Sequence, residues 1–313
     1  MSTDPLSVFE EPRPAPPGDD TTADTAHVHA PVTGIDGSVK VSRAGRNLPA
    51  AIGVGLLLGA LIVLSLFWRK ELFLGLATVS VAVGAWELTQ AMRRSGVRVP
   101  VPPALIGCVA MMVGAYVGGT ETLAVIFALA CVLTLMWRGS AGVDGRAAAD
   151  VTGGFLVAAY PSLLAGFAML LLAAPDGAWR VFTFLAVTVA SDVGGYAVGV
   201  LAGRHPMAPT VSPKKSWEGF AGSVLGSMIV GALCLTLTPL HGPAVVGAVL
   251  GAVVAAAATL GDLAESSIKR DLGIKDMSDI LPGHGGLMDR LDSLLVTAPT
   301  TWAVLTLLLP PAG

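Results

Sequence analysis

Nine apolar segments constrain this chain more than any other feature. They run over residues 48–68, 71–92, 102–119, 121–137, 151–174, 179–203, 216–238, 243–264 and 289–309. Most approach the ~20 residues that an α-helix needs to cross a hydrocarbon core. In lipid every backbone N–H and C=O must find a partner within the protein, so runs of this kind become helices. Composition agrees: charged residues make up 13% of the chain, about half the ~25% usual in soluble domains. The sequence therefore predicts an all-α, polytopic integral membrane helix bundle with about nine transmembrane helices.

Three regions are expected. Residues 1–46 are rich in Pro, Asp and Thr and lack apolar periodicity, which predicts a disordered tail. His27 and His29 read as solvent-exposed bystanders there, and the Pro-rich run PRPAPP as a passive leader. Residues 47–140 carry the N-terminal transmembrane helices, and 141–313 the charged loops that suggest a catalytic region. The three cysteines stand singly in apolar runs, so packing is their expected role. Basic residues set the orientation. With the N-terminus inside, only Arg69, Lys70 and Arg180 of the 19 basic residues fall outside. That predicts N-in, C-out, and puts every chemically interesting loop on the cytoplasmic side. Gly55/Gly59, Gly114/Gly118, Gly199/Gly203, Gly222/Gly226 and Gly247/Gly251 have the small-xxx-small spacing of close helix packing. No phosphate-loop motif is present, and no nucleic-acid partner is expected.

Three polar groups interrupt the apolar pattern at helix ends. Ser191-Asp192 lies inside the sixth segment, followed by Gly194, Gly195 and Tyr196. An acid within a span costs ~2.5–3.5 kcal/mol on insertion scales, so it faces a cavity or a partner. A structural ion pair is the plainer alternative. The second group is Ser212-Pro213-Lys214-Lys215-Ser216-Trp217-Glu218-Gly219. Its lysines suit a phosphate-binding turn, or equally a topology determinant or anionic headgroups. The third begins at Gly261-Asp262 and ends at Asp289-Arg290-Leu291-Asp292. On a helix Asp262, Glu265, Ser266 and Lys269 share one face, and so do Asp289 and Asp292. Two acid-bearing faces joined by a glycine turn can hold hard cations through carboxylate oxygens. Gly283, Gly285 and Gly286 allow close backbone approach to a ligand or positive φ. His284 reads either as a hydrogen-bonded turn residue or as a catalytic group.

The third group carries a resemblance. Ser266, Ile268, Lys269, Arg270, Lys275, Asp276, Ser278, Leu281, Pro282, His284, Gly285, Gly286, Leu287, Asp289, Arg290, Leu291 and Asp292 resemble the signature of the phosphatidate cytidylyltransferase (CDP-diacylglycerol synthase) family at every specified position. The SD…GY run and SPKKSWEG resemble the family's other blocks, with Ser216 where threonine is more usual. The likeness covers about residues 150–309, only the apolar pattern of 48–140, and none of the tail. It implies a plasma-membrane enzyme that joins CTP to phosphatidic acid, giving CDP-diacylglycerol and pyrophosphate for phospholipid biosynthesis. It also implies Mg2+ on Asp262 and Asp289, admits a monovalent cation such as K+ near them, and implies a homodimer among membrane lipids.

On that resemblance Asp262, Asp289, Lys269, Arg270 and Asp192 are the expected catalytic residues. Ser212, Lys214, Lys215, Glu218, Lys275, His284, Gly285, Gly286 and Arg290 are the expected substrate-binding residues. Both substrates are anionic, so cations should dominate the site. The phosphatidate phosphate is largely deprotonated near neutral pH, its second pKa being about 6, which argues against His284 as an obligatory base. Two other classes fit less well. A secondary transporter would use Asp192 and Glu87, but the chain shows no convincing internal repeat. A CTP-using lipid kinase would share the substrates and release CDP.

Overall fold

The computed structural model describes residues 59–142, 144–278, 280 and 285–309. The tail at 1–46, the start of the first apolar segment and His284 lie outside them. The helices are α1 (Gly59–Trp68), α2 (Lys70–Arg94), α3 (Val101–Gly139), α4 (Ala147–Val157), α5 (Leu164–Ala173), α6 (Gly177–Ala202), α7 (Trp217–Leu237), α8 (Ala244–Asp271) and α9 (Met288–Leu308). A π-helical turn, Ala158–Leu163, joins α4 to α5 around Pro161. Proline donates no backbone hydrogen bond, and the wider turn absorbs that gap. Between α6 and α7 stands one element the sequence did not announce. It is an antiparallel hairpin of β1 (Pro206–Ala208) and β2 (Ser212–Ser216).

Seven helices among the described residues are long and apolar enough to cross a membrane, rather than nine. Two causes account for the difference. The first expected span is described only over Gly59–Trp68, and the third and fourth are two helical arms that meet at Gly119 and are counted together as α3. A straight helix of its 39 residues would measure about 58 Å, far beyond a ~30 Å hydrocarbon core. Gly119 resolves the excess, with φ 71° and ψ −160° inside the helix. Beyond it the chain doubles back: a Cβ on Gly107 would sit 3.2 Å from that of Ala130, and Gly114 faces Thr122 and Ile126. The arms form a helical hairpin whose outer faces, including Val117 and Leu129, are exposed and apolar. With that lipid-facing exterior and these spans, the chain is a multi-pass membrane protein.

Close packing is concentrated in α6, α7 and α8. A Cβ on Gly222 would come within 2.6 Å of the Gly194 carbonyl oxygen, and one on Gly226 within 3.0 Å of the Ala190 oxygen. Gly247 and Gly251 lie as tightly against the backbone of Gly231 and Ser227 on α7. Lipid tails are as apolar as leucine, so contact of this kind and interhelical hydrogen bonds drive association. Ser223 Oγ donates to the Ser191 carbonyl at 2.8 Å, and Ser227 Oγ to that of Val187 at 3.1 Å. The small-residue pairs at 222/226 and 247/251 thus pack as expected. A Cβ on Gly59 would meet nothing within 4 Å, and its expected partner Gly55 lies outside the described residues.

Polar connections divide between two ends of the bundle. At one end Lys70 Nζ donates to the Ala174 carbonyl at 2.5 Å, and Arg180 reaches that of Leu309 at 2.8 Å. Both satisfy terminal helix carbonyls. The other end gathers the loops that follow α2, α3, α6 and α8. Ser95 meets Leu272, Ser278 meets Glu87, and Arg146 meets Gly96. Arg138, 7% exposed, joins the end of α3 to α4 through Asp150 at 2.9 Å. It also bonds Asp144, whose carboxyl is held below its usual range by the Arg146 N–H and Arg138.

Replacing Gly247 by valine drives a side chain into the α7 backbone and should destabilise the protein by about 1–3 kcal/mol, the usual overpacking cost. Gly75→Ala places a methyl in open space and should change stability by less than ~1 kcal/mol, in the stabilising direction. Circular dichroism melts of both variants in detergent would check the contrast.

Candidate active site

The glycine contacts leave a cavity of about 390 Å3 at the loop-bearing end of α6, α7 and α8. Small-molecule sites commonly span ~300–1,000 Å3. Ser191, Asp192 and Tyr196 contribute from α6, and Ser212, Lys214 and Lys215 from β2. Thr259 and Asp262 contribute from α8. The hairpin is held in place by Ser216, the N-cap of α7, whose Oγ accepts from the Gly219 N–H at 3.1 Å. Such a cap supplies one of the acceptors that the first helical turn lacks. Lys215 Nζ reaches Asp262 Oδ2 at 2.5 Å, while Ser293 from α9 donates to the other Asp262 oxygen. Both partners keep about a quarter of their side chains exposed, so the pair faces the cavity.

A second polar network begins one helical turn further along α8. Lys269 Nζ bridges Glu265 at 3.1 Å and Asp289 at 2.8 Å. Asp289 Oδ2 also accepts the N–H groups of Met277 at 2.9 Å and Gly286 at 2.8 Å. Glu265 is fully buried; its Oε1 has no hydrogen-bond donor among the described residues, and Asp292 is its neighbour. Asp192, Asp262 and Asp292 lie close enough to feel one another's charge. Five carboxyl groups are therefore gathered around two lysines. This oxygen-rich cluster, with a buried oxygen lacking a donor among the described residues, is of the kind that suits a hard cation.

The structure brings together many of the residues singled out from sequence and separates others. Asp192, Ser212, Lys214, Lys215 and Asp262 line one cavity, and Lys269 and Asp289 form the neighbouring network. Glu218 lies outside the cavity lining. Its carboxylate accepts the N–H groups of Arg204 and His205 at 3.1 and 3.2 Å and meets His205 Nδ1 at 2.5 Å. It pins the entry to the hairpin. Arg270, Lys275 and Arg290 are exposed. Gly285 has φ 78°, and a Cβ on Gly286 would stand 2.8 Å from Glu87 Oε2. The close approach at Gly286 is to protein.

Ser293 escaped the sequence reading, looking like any small polar residue of a span, and Glu87 was singled out only as an acid that a transporter would use. Glu87 is 1% exposed and bonds to residues about 200 positions downstream. The acid in GAWELTQ was its only signal.

The Cytidylyltransferase family model matches residues 49–308. A phosphatidate cytidylyltransferase of Mycobacterium leprae is 43% identical over 290 residues, covering 85% of this chain and 90% of that protein. One from Mycobacterium tuberculosis (strain H37Rv) is 41% identical over 284 residues, covering 87% and 86%. A phosphatidate cytidylyltransferase of Synechocystis is 40% identical over 136 residues, 44% of this chain and 46% of that protein. These likenesses reach well into the N-terminal helices, where the motifs gave only an apolar pattern. The chain belongs to the cytidylyltransferase family.

Proposed function

We propose that this protein makes CDP-diacylglycerol and pyrophosphate from CTP and phosphatidic acid at the cavity between α6, α7 and α8. The observation that carries the reading is the convergence of Asp192, Lys214, Lys215 and Asp262 on that cavity. It occurs in a chain at least 41% identical, over most of its length, to proteins named for this activity. In the reaction a phosphatidate phosphate oxygen bonds to the α-phosphorus of CTP. The bond from that phosphorus to the β-phosphate oxygen breaks, and pyrophosphate leaves.

Bringing two anions together is the main obstacle. Lys214 and Lys215 are placed to neutralise phosphates entering the cavity, and Lys215 shifts from Asp262 to do so. Lys269 orients Asp289, whose other oxygen is held by two backbone N–H groups. The attacking phosphate already lacks its proton near neutral pH, so alignment of the substrates matters more than a base. The oxygen-only donor set and the undonated Glu265 Oε1 fit a hard cation. Asp262 and Asp289 would hold Mg2+, which supplies charge neutralisation at the phosphates, with K+ admissible near the same acids. The basic end of the bundle supports a cytoplasmic active site in the plasma membrane, with lipid arriving laterally and CTP from the aqueous side. The family resemblance supports a homodimer.

Purified protein incubated with phosphatidic acid, Mg2+ and CTP radiolabelled at the α-phosphate should transfer label to the lipid phase, and chelation with EDTA should stop it. Release of CDP with a newly phosphorylated lipid would instead identify a kinase. Neither product from a folded sample would favour a transporter, to be checked by uptake into proteoliposomes without nucleotide. Asp289→Asn should lower turnover by roughly 100-fold or more, ~2.7 kcal/mol of transition-state stabilisation, in a protein that still folds. Near-parental turnover would defeat the assignment of Asp289. Lys215→Ala should raise the KM for a substrate by about tenfold, equivalent to ~1.4 kcal/mol, with little change in melting temperature. Loss of thermal stability alone would return the lysine to a topological role.

A further inference from the structure

Glu87 sits in α2, among apolar residues, with its side chain out of solvent. A carboxylate there needs partners, and it has three. Oε1 accepts from Ser278 Oγ at 2.5 Å and from the Leu287 N–H at 3.0 Å. Oε2 accepts from the Met288 N–H at 2.7 Å. Leu287 and Met288 open α9, where N–H groups lack intrahelical acceptors and the helix dipole favours a negative charge. Gly286 follows the same constraint, since any side chain there would meet Glu87 Oε2.

The partners of Glu87 are the signature segment itself. Asp289 grips that segment from the other side, through Met277 N–H and Gly286 N–H, and is tied to α8 by Lys269. Two carboxylates, one from α2 and one from α9, therefore hold both ends of the stretch from Met277 to Met288. The placement of Asp289 beside Lys269 depends on where α9 begins, and the Leu287 and Met288 N–H groups that Glu87 holds stand at that point. Glutamine would not substitute. Three donors converge on the two oxygens, so an amide NH2 would oppose at least one of them.

We infer that Glu87, with Ser278 as its partner, is a positioning residue for nucleotidyl transfer, through which the N-terminal helices determine the geometry of the catalytic segment. The inference rests on the proposed function and predicts a loss in turnover in place of a loss in substrate binding, because both Glu87 oxygens are taken up by Ser278 Oγ and the Leu287 and Met288 N–H groups.

Glu87→Gln and Ser278→Ala would be purified in detergent. Each would be compared with the parent for kcat, KM for CTP, melting temperature and amide exchange at Leu287 and Met288. Expected for Glu87→Gln is a roughly 10- to 100-fold lower kcat, the size of effect a small misplacement produces. Its KM should stay near the parental value, with faster exchange at Leu287 and Met288. Ser278→Ala should move in the same direction by less, with a parental melting temperature. If Glu87→Gln fails to fold, Ser278→Ala decides alone. Parental kcat in the folded variants, or a lower melting temperature with parental kcat, overturns the inference. If the parent itself forms no CDP-diacylglycerol, the proposed function fails instead. Amide exchange then judges the clamp: unchanged rates overturn it, and acceleration at this segment supports it.

Discussion

Backbone-to-backbone contact among α6, α7 and α8 is the constraint from which the rest of the candidate site follows. Gly194 on Gly222 and Gly247 on Gly231 leave no room for even one methyl group, and Gly226 on Ala190 leaves little. Helices that close keep their polar ends together, so an acid on α6, a lysine before α7 and an acid on α8 reach a common space. Bulkier residues at those contacts would separate the helices and spread the same charges over unrelated surfaces. In lipid, where apolar burial gives no net drive to association, this contact and its serine-to-carbonyl bonds carry much of the cohesion.

A second rule concerns where charge is tolerated. Each deeply buried acid away from the cavity has dedicated partners: Asp150 takes Arg138 and the Arg98 N–H, and Glu87 takes three donors from the α9 entrance. The acids near the cavity are treated differently. Among the described residues Asp192, Asp262, Glu265, Asp289 and Asp292 share two lysines, Lys215 and Lys269, although Asp262 also accepts from Ser293 and Asp289 from two backbone N–H groups. A fully paired site would have little affinity left for an incoming cation or phosphate. Gathering acids that share so few cations costs stability, and their confinement to one end of the bundle matches a reaction between a lipid headgroup and a water-soluble nucleotide.

The balance between what the chain announced and what it concealed follows from the range of the interactions. Helical periodicity placed Asp262, Glu265 and Lys269 on one face, because i,i+3 and i,i+4 neighbours are local, and Lys269 does bridge Glu265 to Asp289. The SPKKS block was visible as a basic run, yet its strand conformation was not, since β2 exists only by pairing with β1. Glu218, in the same block, turned out to serve the backbone of Arg204 and His205. The reversal at Gly119 was hidden for a related reason. A glycine in an apolar run reads alike whether it packs, bends or reverses the helix, and only the return contacts at Gly107 and Gly114 distinguish these.

Sequence alone determined that the chain is a helical membrane protein with its chemistry gathered in polar segments at span ends, and its motifs named a family. Those properties follow from hydrophobic run length, local helical spacing and residue type, none of which requires knowledge of distant neighbours. Tertiary structure alone decided that Lys215 meets Asp262, that Ser293 completes that pair, and that Glu87 governs the start of α9. The last contact spans about 200 residues, and its geometry arises only once α2 and α9 pack side by side. An apolar helix with one glutamate encodes the need for a partner, because burying a bare charge is costly, but the identity of that partner belongs to the fold.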